Sequence, residues 1–222
     1  MPVSALRRRV QTIGPQPFFI HYDGQTGSRI ELSGTTFGNW VDKTCNFLDT
    51  LDVDPQEQVR LELALTAPGH WVTSVWAAAI WQRACSITVD ETADAQLVVA
   101  GPEAVAEQVT TVACSLHPLG AAFAQVPEGC IDYAEVLSEP DVPDPQPSSA
   151  DQVAWDPDVT FGDLAKITPR SDRQLFVDPA PGWQTIRELL VAPLLGDGST
   201  VVITGADPEL VERVRATERV SD

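Results

Sequence analysis

One stretch, Val59 to Asp90 (VRLELALTAPGHWVTSVWAAAIWQRACSITVD), constrains the fold more than any other. A short apolar run from Val59 to Leu65 meets a turn at Ala67-Pro68-Gly69. The segment His70 to Arg83 is then apolar on nearly every face, and a second short run, Ser86 to Val89, closes at Asp90. Length separates strand from helix here: the outer runs fit buried strands, and the middle one is long enough for more than three helical turns. A helix with no polar face has to be covered on both sides. The stretch therefore predicts a right-handed strand–helix–strand crossover inside an α/β sheet. Residues 59–65, 86–89 and 200–204, each continuously apolar, are expected as central strands of one sheet carrying helix 70–83.

The flanking sequence repeats this alternation. Residues 2–14 place Leu6, Val10 and Ile13 on one helical stripe. Phe18–Tyr22 and Ser28–Leu32 are β-prone runs joined by Asp23-Gly24-Gln25-Thr26-Gly27, a hairpin signal. Ser33 offers an N-cap to a helix carrying Phe37, Trp40, Val41, Thr44, Phe47, Leu48 and Leu51. After Asp90 the pattern predicts strands at 96–100 and 110–116, a helix opened by Pro102, and a short helix at 131–137. Residues 138–158 hold several prolines and acids and read as an exposed loop. Beyond it come a helix stopped by Pro169, a strand at 174–177, a helix from Trp183 to Leu194, a strand at 200–204 and a helix capped by Asp207. The pattern is that of an α/β fold with a mostly parallel sheet and helices on both faces. A length of 222 residues suits a single α/β domain spanning 1–222, with its exposed Pro/acid-rich loop at about 138–158.

Charge bears on function by exclusion. Fourteen Lys and Arg stand against 32 Asp and Glu, a formal net charge of −18. Such a field repels phosphate backbones and anionic bilayers, so neither nucleic acid nor membrane is an expected partner. No apolar run approaches the roughly 20 residues of a membrane span, and the N-terminus lacks a signal-peptide core. Cys45, Cys85, Cys114 and Cys130 form no C-x-x-C pair and read as reduced thiols, which places the chain in the cytoplasm.

The order of features resembles that of the adenylate-forming enzymes, the superfamily of acyl-CoA synthetases, luciferases and peptide-synthetase adenylation domains. The hairpin with IELSGTTFGNWVDKTCNFL is similar to their opening helix motif. WVTSVWAAAIWQRACSITVD resembles their next helix–strand motif, and WQTIRELLVAPLLGDGSTVVIT their later helix–strand segment. More narrowly, the chain resembles a small, mainly actinobacterial family of uncharacterised, shortened relatives of that superfamily. The resemblance implies the front part of the large domain. It also exposes a departure: the enzymes carry a Gly/Ser/Thr-rich loop with a lysine that cradles ATP phosphates. Here the corresponding place reads DQVAWDPDVTFGDLAK, with Asp156-Pro157-Asp158 where the glycines and lysine stand. The chain also reaches Asp222 ahead of the adenine, ribose and magnesium motifs and the C-terminal domain. The expectation is a protein that is not an enzyme, with no catalytic residue, no cofactor and no metal. It is read as a non-catalytic binding or interaction module, its partner a protein, a small apolar ligand or a second copy of itself.

Two alternatives remain. One is an accessory subunit supplying an acyl-binding surface to a partner enzyme. His70 and Trp71 lie where a strand yields to a helix, the edge at which α/β sheets bind ligands. Trp183 follows Pro181-Gly182 in the region where the enzymes line their acyl pocket with an aromatic residue. These three are the candidate pocket residues. The other alternative is a Ser/His hydrolase built on Ser115 and His117, which share one face of a strand but come with no G-x-S-x-G elbow. His21, His70 and His117 have no metal-ligand spacing. Gly24 to Ser28 and Thr204 to Asp207 read as a hairpin turn and a capped helix start rather than as phosphate or dinucleotide loops.

Overall fold

The structure, a computed structural model, describes residues 2–106 and 108–220. The chain opens with α1 (Pro2–Ile13), the hairpin β1 (Pro17–Asp23) and β2 (Arg29–Ser33), and α2 (Gly34–Thr50). The crossover follows as β3 (Gln58–Leu61), a single turn α3 (Leu63–Thr66), α4 (Trp71–Gln82) and β4 (Ser86–Thr88). Short strands β5 (Leu97–Ala100), β6 (Thr110–Ala113) and β7 (Ile131–Asp132) lead into a 3₁₀ turn, Tyr133–Ser138. Then come β8 (Val153–Trp155), β9 (Val159–Thr160), α5 (Phe161–Leu164) and β10 (Arg173–Val177). A continuous helical segment joins α6 (Trp183–Ile186), a π turn (Arg187–Val191) and α7 (Ala192–Gly196), before β11 (Ser199–Thr204) and α8 (Pro208–Glu218).

The strands form two sheets rather than one. Seven run in the order β7-β6-β5-β3-β4-β8-β9, parallel except for the last pair, and four in the order β10-β11-β1-β2, parallel except for the β1–β2 hairpin. Strand 200–204 therefore belongs to a different sheet from 59–61 and 86–88, a correction to the single-sheet expectation. The physical reason lies in α4. All twelve of its residues are buried. It packs on β3 and β4 of the larger sheet and on β1 of the smaller, with α1 and α2 beside it. Two sheets, one on each side, are what a helix apolar on nearly every face needs. A continuously apolar strand does not disclose which of two sheets it joins. The fold class stands as read: mixed α/β, mostly parallel strands, with helices.

Polar side chains close this layer. Trp81 Nε1–H donates to the Ala154 carbonyl at 2.9 Å and Trp71 Nε1–H to that of Pro118 at 3.1 Å. Both indoles are buried with their one donor satisfied. Arg7 of α1 binds Asp42 of α2 and Gln82 of α4, tying three helices together. The outer face of the smaller sheet is covered by α8, where Ile20, Val201 and Ile203 meet Leu210 and Val214. Ser33 and Asp207 cap α2 and α8 through their side chains, as their positions predict.

Two loops differ from expectation. No helix follows Pro102 among the described residues, and Glu107 lies outside them. Residues 139–152 are irregular and mostly exposed, but the segment then forms β8, whose Ala154 and Trp155 are buried and which pairs with β4. Three strand residues inside a Pro- and acid-rich run leave no period to detect. The irregular part is tied down as well: Asn46 donates to the Pro140 and Val142 carbonyls, and the Gln146 N–H to that of Gln82.

Candidate functional site

A cavity of about 430 Å³ opens where strands of both sheets end, within the size range of small-molecule sites. His21 and Asp23 come from β1, Thr204 and Gly205 from the end of β11, and Asp178 and Pro179 from the turn after β10. The larger sheet contributes Thr66 to His70 after β3 and Leu116 after β6. Every parallel strand that reaches it does so by its carboxyl end, the edge at which α/β proteins bind ligands. The Ala67-Pro68-Gly69 turn brings the sheets together. A Cβ on Gly69 would lie 2.8 Å from both Pro179 Cγ and Val202 Cγ1, so only glycine lets this loop approach the smaller sheet.

Two imidazoles form the floor. His70 is the N-cap of α4, and its Nδ1 accepts the Val72 N–H at 3.3 Å. That bond leaves Nε2 as the protonated nitrogen of the neutral ring. His21 Nε2 lies 2.9 Å from Thr204 Oγ1, and the two rings meet edge to face with centroids 5.1 Å apart. Burial holds both rings neutral. It lowers the His21 pKa to about 4, against the opposing pull of Asp23. Burial first, and then His21, lower that of His70 to about 3. Burial works to raise the Asp23 pKa, but hydrogen bonds from Thr26 and from the Gln25 and Thr26 N–H groups outweigh it and keep the carboxylate charged. Asp178 accepts the Gly205 N–H at 2.6 Å. Leu116 (φ 54°) and Asp178 (φ 42°) both sit in the left-handed region, which a bulky residue such as leucine rarely adopts.

Of the three sequence candidates only His70 lines this cavity. Trp71 is buried against Trp40, with centroids 5.0 Å apart, and touches the site only through the His70 ring at 5.7 Å. Trp183 stands at a second cavity of about 350 Å³, with Asp158, Val159, Asp163, Lys166, Ile167 and Arg187. There it packs on Trp155 at 5.5 Å and Trp81 at 6.4 Å. His21, Asp23, Thr66, Asp178 and Thr204 escaped the sequence reading because each was absorbed into a hairpin, a strand or a turn. The strand-end rule, applied to β1, β10 and β11 as well as β3, points to all of them.

Other constellations carry no chemistry of the kind weighed. Ser115 Oγ donates to the Ala121 carbonyl at 2.6 Å, and His117 Nδ1 accepts the Leu119 N–H at 3.2 Å, so the serine proton goes to a carbonyl and not to the imidazole. Among the described residues no cluster of His, Cys, Asp and Glu could hold a metal ion, and no helix is long and apolar enough to cross a membrane. The four cysteines are free, and burial pushes the Cys45 thiol up to about 11 and that of Cys85 to about 12. Asp156-Pro157-Asp158 forms the tight turn of the β8–β9 hairpin, with Val153 opposite Thr160 and Trp155 opposite Val159. The Asp156 N–H is bonded to the Ile87 carbonyl, and proline at 157 has no N–H to offer.

Comparison with known proteins agrees with this architecture. The acyl-CoA synthetase of Brucella canis superposes with a TM-score of 0.74 at 16% identity, over 99% of this chain and 46% of that one. The acetoacetyl-CoA synthetase of Streptomyces lividans gives 0.73 at 15% identity, over 98% and 41%. The N-terminal domain of FACL13 from Mycobacterium tuberculosis gives 0.68 at 13%, over 99% and 61%. The fold is thus that of the N-terminal part of the adenylate-forming enzymes, and the chain spans about half the length of those solved proteins. No family model matches the chain. A curated Mycobacterium tuberculosis protein described as a TIGR03089 family protein is 32% identical over 236 aligned positions, covering 96% of this chain and 92% of that protein. With identity at that level along nearly the whole of both chains, this protein belongs to the TIGR03089 family.

Proposed function

We propose that this chain is a non-catalytic binding module of one α/β domain, with the cavity between its two sheets as the ligand site. The observation that carries the reading is the β8–β9 hairpin. Adenylation rests on preorganised N–H groups, a cation and magnesium around the triphosphate. In the place where the resembling enzymes keep that loop, this chain has a three-residue turn with two carboxylates and a proline. The cavity, by contrast, has the size, the position and the fixed polar groups of a binding site. A ligand specific to the folded state raises its melting temperature, by an amount that grows with the logarithm of its concentration above Kd. The test is a thermal-shift screen with nucleotides, acyl-CoAs, carboxylic acids and organic amines, repeated on Thr66→Trp. Thr66 is exposed at the rim, so the indole fills the cavity without entering the core. A hit that disappears in Thr66→Trp supports the reading. Hits that persist unchanged, or none from any class, count against it.

A second reading is supported by the other cavity. Trp183, Val159 and Ile167 form an apolar wall there, which suits an acyl chain and hence an accessory role beside a partner enzyme. A Trp183→Ala variant that keeps a fatty-acyl hit would remove that support.

A further inference from the structure

We infer that the cavity between the sheets takes a small organic cation that donates N–H bonds, an alkylammonium or guanidinium compound. This rests on the binding-module reading and names its ligand class. The argument is one of charge and of hydrogen-bond capacity. Asp23 and Asp178 both line the cavity, held by turn N–H groups and with no ion pair seen at either among the described residues. Among the described residues no lysine or arginine lines it. The hydroxyl of Thr66 already donates to the Glu62 carbonyl at 3.2 Å, so toward the cavity its oxygen only accepts. Both nitrogens of His70 are engaged, Nδ1 with the Val72 N–H and the ring with the Leu116 backbone.

His21 supplies the independent observation. Its side chain is 5% exposed, its Nε2 is paired with Thr204, and its Nδ1 has no hydrogen-bond partner among the described residues while the ring lines the cavity. An imidazole nitrogen with no protein partner, on a ring that lines a cavity, is a position for a ligand group. In the tautomer whose Nε2–H donates to Thr204 Oγ1, Nδ1 is an acceptor. The wall then presents two carboxylates, a hydroxyl oxygen and an imidazole nitrogen, all asking for donors. An ammonium group brings three and a guanidinium five. Anionic ligands meet repulsion from both aspartates, and neutral polyols lack the charge that makes such bonds strong.

The test is calorimetric titration of the full chain at pH 7.5 with 1,4-diaminobutane and agmatine. The matched neutral and anionic probes are 1,4-butanediol and butanedioate. The expected result is saturable binding of at least one cation, with the neutral and anionic probes roughly tenfold weaker or silent, as for charge-assisted against neutral bonds. Asp178→Asn and Asp23→Asn each weaken the cation roughly tenfold. Asparagine still accepts the turn N–H groups and tolerates a left-handed φ, so both variants keep the loops they anchor. Retained melting temperatures check this, and Thr66→Trp provides a blocked cavity that leaves both aspartates in place. The inference is overturned if cations bind no better than butanediol, or if Asp178→Asn and Thr66→Trp leave cation affinity unchanged. A neutral or anionic ligand that binds and is lost in Thr66→Trp overturns the cation class alone and leaves the binding-module reading standing.

Discussion

The two cavities handle charge in opposite ways. In the second, Lys166 pairs with Asp163 at 3.0 Å and Arg187 with Glu188 at 3.5 Å, so the cations at its rim are matched by the carboxylates beside them. In the first, Asp23 and Asp178 are held by turn N–H groups and meet no cation among the described residues, above two imidazoles that burial keeps neutral. The difference follows from construction. The second cavity is formed by the β8–β9 hairpin, α5 and α6, exposed elements whose long side chains can find each other. The first is made from the carboxyl ends of strands in two sheets, positions fixed by the core. An uncompensated arrangement fixed by the scaffold is what a binding site offers, and a self-compensated one on the surface is what solvation produces.

The comparison predicts unequal responses to pH and mutation. The largest effect belongs to the histidines of the first cavity. Their folded pKa values, about 4 for His21 and about 3 for His70, lie below the unfolded value of 6.5. The unfolded chain therefore binds more protons below pH 6.5, and their contribution to stability is present above that pH. It is lost as pH falls from 6.5 toward 4 and 3, by up to about 1.4 kcal/mol per pH unit per ring. Urea denaturation across pH 7 to 4 measures this, and a His21→Gln variant should flatten the slope. An unchanged slope would break the assignment. The smallest effect belongs to the second cavity. Lys166→Ala should change stability by no more than about 0.5 kcal/mol, because its ion pair is exposed and screened. A loss well above that would show that the second cavity is as firmly built as the first.

Much of the fold was legible. The largely apolar 70–83 segment, the hairpin, and the Ser33 and Asp207 caps could be read because period and capping chemistry are local. The assignment of 200–204 to its own sheet was not, because sheet partners are chosen by what covers α4 and not by the strand's own residues. From period and composition alone, β8 was hidden by its neighbours' prolines and acids. At the site, His70 was found by the strand-end rule. Trp183 was placed by resemblance, and its ring lines the second cavity while packing on Trp155 and Trp81. His21, Asp178 and Thr204 lie far apart in sequence, and only the pairing of β1 with β11 and of β11 with β10 brings them together.

The central claim is that this fold serves binding without adenylation, and the most direct measurement is titration of the purified chain with MgATP, paired with acid-dependent pyrophosphate exchange. The account predicts no affinity tighter than about millimolar, ~4 kcal/mol, and no exchange with fatty or aromatic acids. Micromolar MgATP binding, or exchange by the chain alone, would contradict it.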